Sequence, residues 1–156
     1  TIKIYKDHDG LTNKLSALNP TDELIIHDVF GTINYKGPGV FIAGGAGITP
    51  FLAILRQLKL EDSLSGNQLL FAHHNENDII HKTELKYLLG DNYIDVLKDP
   101  LDHTTQGGII DQNLLKKYTG DTRTWYYICG PDAFTAAMVD NLKNLGVQKS
   151  HIIIEE

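Results

Sequence analysis

One stretch of the sequence constrains the fold more than any other. Four apolar residues, 40–43, run directly into the turn Gly44-Gly45-Ala46-Gly47-Ile48-Thr49-Pro50. A continuous apolar run of this length is typical of a central parallel strand that is covered on both faces. Proline is favoured at the first position of a helix, and apolar residues continue beyond it. The stretch therefore predicts a strand, a glycine-rich turn and a helix in immediate succession.

The same alternation continues to the end of the chain. Strands are predicted at residues 40–43, 68–72, 93–97, 125–128 and 151–154, and helices at residues 50–59, 78–89, 111–118 and 132–145. Strands that alternate with helices favour right-handed crossovers and an α/β fold with a doubly wound, five-stranded parallel sheet.

Composition excludes several classes of function. The 14 Lys and Arg against 20 Asp and Glu give a net charge of −6, which argues against binding to nucleic acid or to an anionic membrane. A single cysteine, Cys129, excludes an internal disulfide and a four-thiolate cluster within this chain. No apolar run is long enough to predict a membrane span, and no secretory signal is visible, so a cytoplasmic location is expected.

Ligands of a doubly wound sheet bind beyond the carboxyl ends of the strands, where the strand order reverses, so the turns after the first and fourth strands are the candidate sites. Glycines from Gly44 to Gly47 let a ligand approach backbone N–H groups, and the N-terminus of the following helix suits a phosphate. Pro50 stands where the usual dinucleotide fingerprint has its third glycine. A turn without any ligand is the alternative reading of this stretch taken alone.

The second turn is Cys129-Gly130-Pro131, after the fourth strand. A free cysteine is often a small buried apolar residue, so packing is the simple alternative to a role in a cleft. Gly130 and Pro131 favour the cleft, because they open a second strand-to-helix turn at the same edge of the sheet.

Together, the motifs from Gly45 to Pro50 and from Cys129 to Pro131 resemble the nicotinamide-binding domain of the ferredoxin-NADP reductase superfamily. The resemblance covers residues 39–156 and implies the strand order 3-2-1-4-5. It implies that the loop from Gly44 to Thr49, including Ile48, holds the pyrophosphate of NAD(P)H, with Thr49 near the nicotinamide amide. It also implies that Cys129 lies beside the reacting carbon, with Gly130 and Pro131 under the ring and ribose.

The resemblance also explains residues 1–37, which it identifies as the end of an antiparallel flavin-binding barrel, with the NAD(P)-binding domain at 38–156. Strands are predicted at 2–5, 23–26 and 32–35, and a helix at 11–18. Gly10, Leu11 and Thr12 resemble the turn that receives the flavin phosphates of FAD or FMN. The family's Arg-x-Tyr-Ser or Arg-x-Tyr-Thr motif and its terminal aromatic residue are absent, so the chain looks like part of a larger reductase.

Cofactor preference depends on Lys98, which follows the third strand where NADP-selective members carry Ser-Arg. One lysine beside Asp99 is a poor site for a 2′-phosphate, so NADH is favoured over NADPH, and a solvated loop is the alternative. His73, His74 and His81 lack the spacing of a recognised metal site and are expected to be exposed or to line the adenosine end of the cleft.

The predicted function is therefore hydride transfer from NAD(P)H to a flavin, with electrons passed on to a protein or small acceptor. A ferredoxin or flavodoxin is one class of acceptor, although the acidic net charge gives no support for a basic docking face. The alternative is a nucleotide-binding or regulatory module without catalysis of its own.

A first prediction concerns flavin. Because the upstream flavin motif is absent, the 156-residue chain is expected to bind FAD and FMN weakly or not at all. Absorbance of the purified chain and titration with each flavin measure this. Retention of stoichiometric flavin would contradict the prediction.

Overall fold

A computed structural model describes residue 4 and residues 9–25, 31, 33–98, 106–119 and 124–155 of the chain. Within these ranges, six strands form one sheet in the order β4-β3-β2-β1-β5-β6, and every pairing is parallel. The strands are β1 (Gly39–Gly44), β2 (Gln68–His73), β3 (Tyr93–Leu97), β4 (Gln106–Gly107), β5 (Trp125–Cys129) and β6 (Ile152–Ile154).

Helices cover both faces of this sheet. The helices are α1 (Leu11–Leu15), α2 (Ile48–Leu60), α3 (Lys82–Leu89), α4 (Gln112–Lys116) and α5 (Asp132–Asn144). One core joins α2 and α3 to one face of the sheet, and the other joins α4 and α5 to the opposite face. All six residues of β1 are buried, as the apolar run predicts for a strand at the centre of the sheet.

The predicted sheet is confirmed. The five main strands lie in the order 3-2-1-4-5 when they are counted along the chain, and Val40 of β1 pairs in parallel with Tyr126 of β5. The two-residue strand β4 was not predicted, because it is too short to show a periodicity and obtains its regularity only from pairing with β3. The helix predicted at 78–89 begins later, at Lys82, after a separate 3-10 turn at Glu76–Asp78.

The segment before β1 differs from its prediction. Residues 23–25 and 33–35 have no regular secondary structure, so the strands predicted there are wrong over the described residues. A strand requires a hydrogen-bonding neighbour, and none of the described residues pairs with these segments. The remaining parts of these two strands, residues 26 and 32, and most of the strand predicted at 2–5 lie outside the described residues. The predicted helix 11–18 is shortened to Leu11–Leu15, and its Leu11 side chain is exposed rather than packed.

A cluster of polar side chains lies beneath the α2 and α3 layer, at the end of β2 and in β3. Asp95 is about nine-tenths buried and accepts a hydrogen bond from the Tyr93 hydroxyl. Its other neighbours are His73 Nε2 at 3.3 Å and Lys82 Nζ at 3.4 Å. Burial alone would raise the pKa of Asp95, but His73, Tyr93 and Lys82 together outweigh it and hold that pKa below the ordinary value of 3.8.

This lowered pKa predicts a contribution to acid sensitivity. A carboxyl group with a depressed folded-state pKa stabilises the fold above its ordinary pKa, and the stabilisation is lost as the pH falls below about 4. Asp95→Asn is expected to cost about 1–3 kcal/mol at pH 7, because it removes the buried acceptor's charge, and to flatten the stability profile between pH 5 and 3. Urea unfolding at several pH values measures both effects, with the exposed Asp91→Asn as the control. An unchanged acid profile in Asp95→Asn would contradict the prediction.

Candidate functional site

A cavity of about 1080 Å³ opens at the carboxyl ends of the central strands. Strands β1 and β5 are adjacent, so the turns that follow them contribute to the same wall. Further lining comes from the end of β2, the segment after β3, the segment after β4, and α5. The candidate residues that line the cavity are Gly44, Gly45, Ala46, Gly47, Thr49, Lys98, Cys129, Gly130 and Pro131.

The glycine-rich turn lines this cavity. It forms a 3-10 turn at Gly45–Gly47 and passes directly into α2, whose first residue is Ile48. Gly45 has a φ of +55°, a left-handed conformation that glycine adopts without strain. The N-cap residue of α2 is Gly47, which has no side chain with which to cap the helix. The Ile48 N–H bonds to the Ala46 carbonyl, and the N-terminus of this 13-residue helix, where Gly47 and Thr49 line the cavity, provides a positive dipole end that suits an anionic ligand.

The structure gives Gly47 a packing role besides the one that its place in the turn suggests. The sequence suggests a glycine that leaves room for a phosphate. However, a Cβ atom on Gly47 would overlap the backbone oxygen of Cys129 and would lie 2.7 Å from the backbone nitrogen of Gly130. Its φ of −61° is open to any residue. The glycine is therefore required because the two turns touch backbone to backbone.

The thiol of Cys129 is held as a hydrogen-bond donor. It is buried, and its sulfur lies 2.9 Å from Oε2 of Glu155, one residue beyond β6. Burial and the adjacent Glu155 carboxylate raise the pKa of Cys129 to about 12. The thiol is therefore protonated at neutral pH, and the side chain is a poor nucleophile there.

The other candidate residues lie away from the cavity wall. Ile48 is fully buried in the core between α2 and the sheet, and Pro50 is half-buried in the first turn of α2. Gly10, Leu11 and Thr12 form the start of α1, before the sheet, and are not among the residues that line the cavity.

The three histidines have separate environments. His74 is exposed at the cavity, as expected, and His81 is exposed and lies 2.9 Å from Glu84. His73 also lines the cavity, one of the two expected places, but its ring is buried beside Asp95 and packs 3.8 Å, centroid to centroid, from Phe71. In the described part of the chain, no group of three or more His, Cys, Asp or Glu side chains is arranged to hold a metal ion.

Several lining residues were not found from the sequence. Phe134 of α5 packs under both turns, because its ring would contact a Cβ placed on either Gly44 or Gly130. Ile109 is exposed at the cavity and follows Gly108, whose φ is +111°. Glu155 carries no motif, and its contact with Cys129 follows only from the register of β5 against β6. A pattern in the sequence identifies the turns but not the side chains that other elements bring to them.

Comparison with known proteins places this architecture among oxidoreductases. The family model described as the oxidoreductase NAD-binding domain matches residues 41–140. One component of the Na(+)-translocating NADH-quinone reductase of Actinobacillus pleuropneumoniae is 27% identical over 94% of this chain and 39% of that protein. The chain thus spans well under half the length of this relative.

Two solved structures share the fold of this chain. The cytochrome b5 reductase domain of Ulva prolifera nitrate reductase has a TM-score of 0.82 at 23% identity, covering 98% of this chain and 68% of that one. The CS-b5R domains of human Ncb5or in the NAD+ form have a TM-score of 0.75 at 26% identity, covering 98% and 47% respectively. Of the helices within the described ranges, none has both the length and the apolar character to cross a membrane.

The contact between the turns predicts that Gly47 is intolerant of substitution. Gly47→Ala is expected to destabilise the fold by about 1–3 kcal/mol or more, because the new methyl group overlaps backbone atoms that cannot rotate away. Guanidinium unfolding measures the loss. Gly10→Ala is the control, since no described atom lies within 4 Å of its Cβ position. Equal stability of the two variants would contradict the proposed contact.

The raised thiol pKa predicts slow alkylation. Iodoacetamide reacts with the thiolate, so modification of Cys129 is expected to be slow at pH 7.5 and to rise toward pH 12. Glu155→Gln removes the carboxylate that raises the pKa and is expected to accelerate modification below pH 10, while Asp140→Asn on the exposed face of α5 leaves the rate unchanged. Mass spectrometry against time measures these rates, and equal rates in Glu155→Gln and the native chain would exclude the carboxylate effect.

Proposed function

The chain belongs to the oxidoreductase NAD-binding domain family, and on that premise we propose that its cavity holds NAD(P)H for hydride transfer to a flavin. The observation that carries this proposal is the direct contact between the turn at Gly47 and the turn at Cys129. Because of that contact, amides suited to a phosphate and a protonated thiol line one cavity. A hydride donor bound along this wall would have its charged and reacting parts anchored by two adjacent turns.

The cavity fits a dinucleotide in chemistry as well as size. The uncapped N-terminus of α2 offers donors and a positive dipole end for a pyrophosphate. The walls beyond it are largely apolar and include Ala137 and Met138 of α5, a surface suited to planar rings. Thr49 lies in the first turn of α2 and lines the same cavity, so its hydroxyl is the proposed contact for the nicotinamide amide.

When bound, NAD(P)H supplies the hydride, and the chain's own residues supply orientation. Cys129 is proposed to set the contact distance at the reacting end, because its side chain is buried, protonated and fixed by Glu155. It forms no covalent bond in this scheme. Gly130 and Pro131 continue the surface on which the ring and ribose are proposed to lie. Fixing the reacting groups in a near-attack arrangement is the main contribution that such a site makes to the rate.

We propose NADH as the donor rather than NADPH. Lys98 lines the cavity and is exposed, as a residue near a ribose would be. A 2′-phosphate is recognised through several cationic donors, and the other polar side chains that line the cavity include Asp78 and His74. The name of the relative from Actinobacillus pleuropneumoniae also specifies NADH.

The flavin and the acceptor belong to the larger protein in this proposal. Gly10, Leu11 and Thr12 remain the proposed flavin-phosphate contacts, and the name of the relative, an NADH-quinone reductase, suggests a quinone as one acceptor of the electrons. Ferredoxin or flavodoxin is the other proposed class of acceptor. A cytoplasmic location stays a prediction.

The test is flavin reduction in the flavin-containing protein that carries this chain. Anaerobic NADH is expected to bleach the flavin, and Cys129→Ala is expected to slow the bleaching about tenfold or more while the Kd for NADH stays within about twofold. Stopped-flow absorbance gives the rate, and a melting curve shows whether the variant is folded. A native-like rate in Cys129→Ala would reduce Cys129 to a packing residue. A native protein with no flavin would favour a nucleotide-binding module instead.

A further inference from the structure

The segment that joins residues 33–36 to the sheet, called the joint below, is fixed by hydrogen bonds to side chains of the sheet and of the residue before β2. Its sequence, Gly37-Pro38-Gly39, is the composition of a flexible boundary between two regions. Gly37 has a φ of +150°, and β1 begins two residues later. The surrounding hydrogen bonds hold this stretch in one conformation, so the joint is not a free hinge.

Tyr127 makes the first of two sets of side-chain contacts that fix the joint, and each set is called a tie. Its hydroxyl accepts hydrogen bonds from the backbone N–H of Lys36 at 2.9 Å and of Gly37 at 3.1 Å, and donates to the Gly37 carbonyl at 2.7 Å. The side chain is fully buried. Burial raises the pKa of Tyr127 more than the two N–H donors lower it, so the hydroxyl keeps the proton that it donates. One phenol thus satisfies three backbone groups of a segment 90 residues away in the chain.

Asn67 and Tyr35 supply the second tie. The buried Asn67 side chain accepts from the Gly39 N–H at 3.2 Å and lies 3.3 Å from the Tyr35 hydroxyl. The ring of Tyr35 stacks on those of Tyr127 and Phe41, with centroids 5.8 Å and 6.4 Å away. Residues on both sides of the glycine–proline joint are therefore held against the same aromatic surface.

The first tie and the proposed reaction site lie on one strand. Tyr127 and Cys129 are two residues apart in β5, and both belong to the core on the α2 side of the sheet. A strand in the middle of a parallel sheet is rigid, because each neighbour restrains it. The direction in which the chain approaches the joint is therefore coupled through β5 to the position of the thiol.

We propose that Tyr127 is a positioning residue, whose hydroxyl fixes the part of the protein before residue 36 relative to the nicotinamide end of the cavity. The inference rests on the proposed function, in which that preceding part carries the flavin. Hydride transfer is steeply sensitive to the distance between the two rings, so a joint of fixed geometry serves the rate rather than the affinity for NADH.

The first experiment depends only on the joint. In the 156-residue chain, Tyr127→Phe keeps the ring and removes the hydroxyl, so amide exchange at Lys36 and Gly37 is expected to accelerate by about tenfold or more. Tyr126→Phe is the matched control. Tyr126 is buried in the same strand, faces α5, and has its hydroxyl 3.4 Å from the Tyr118 carbonyl. Unchanged exchange at Lys36 and Gly37 in Tyr127→Phe would overturn the tie itself.

The second experiment tests the consequence in the flavin-containing protein. Tyr127→Phe is expected to slow flavin reduction at saturating NADH by about tenfold, with the Kd for NADH within about twofold and little change in Tyr126→Phe. Tyr35→Phe, which removes the hydrogen bond between Tyr35 and Asn67 and weakens the second tie, is also expected to slow flavin reduction. If the role were merely structural, the melting temperatures of Tyr127→Phe and Tyr126→Phe would both fall, and the rate of flavin reduction in the folded protein would not change.

The two failures can be told apart. If the native protein does not pass a hydride from NADH to flavin, the proposed function fails, whatever the exchange data show. If the native protein does so and both Tyr127→Phe and Tyr35→Phe reduce flavin at the native rate, the proposed function stands and the positioning role is excluded.

Discussion

The contact between the turns after β1 and β5 is the constraint on which the site depends. Gly47 approaches the backbone of Cys129 so closely that a single methyl group does not fit between them. The approach brings the start of α2 and the end of β5 to one wall, which neither turn could form alone. Phe134 packs beneath the same place and supports both turns from the α5 side. The cavity therefore depends on the adjacency of β1 and β5, and the turns that follow these two strands cannot shift independently of each other.

Much of this arrangement could be predicted from the sequence, because short runs of neighbouring residues determine it. The apolar run of β1 and the glycine–proline turns identify both the central strand and the edge of the sheet where ligands bind. The strand order required the family resemblance, since local periodicity does not determine which strands are neighbours. Cys129 was identified by its place after a strand, but its partner Glu155, 26 residues further along the chain, depends on the register of β5 against β6.

The errors share one physical cause. Residues 23–25 and 33–35 have the composition of strands, but a strand forms only when another segment completes its hydrogen bonds. His73 lines the cavity, but the sequence did not show that its ring is buried beside Asp95, a contact that depends on the pairing of β2 with β3. In each case the outcome depends on residues distant in sequence. The composition of a segment gives its preferred secondary structure, and its tertiary contacts determine whether that structure forms.

The contact at Gly47 also divides the cavity into a part that can evolve and a part that cannot. Variation at the turn must keep a glycine there, or change both turns together, whereas Lys98 at the exposed rim takes no part in that contact. Under the proposed placement of the ribose at Lys98, selection or laboratory design could alter preference for one dinucleotide over another by changing the rim and leaving both turns intact. The proposal thus separates the evolution of cofactor choice from that of the chemistry.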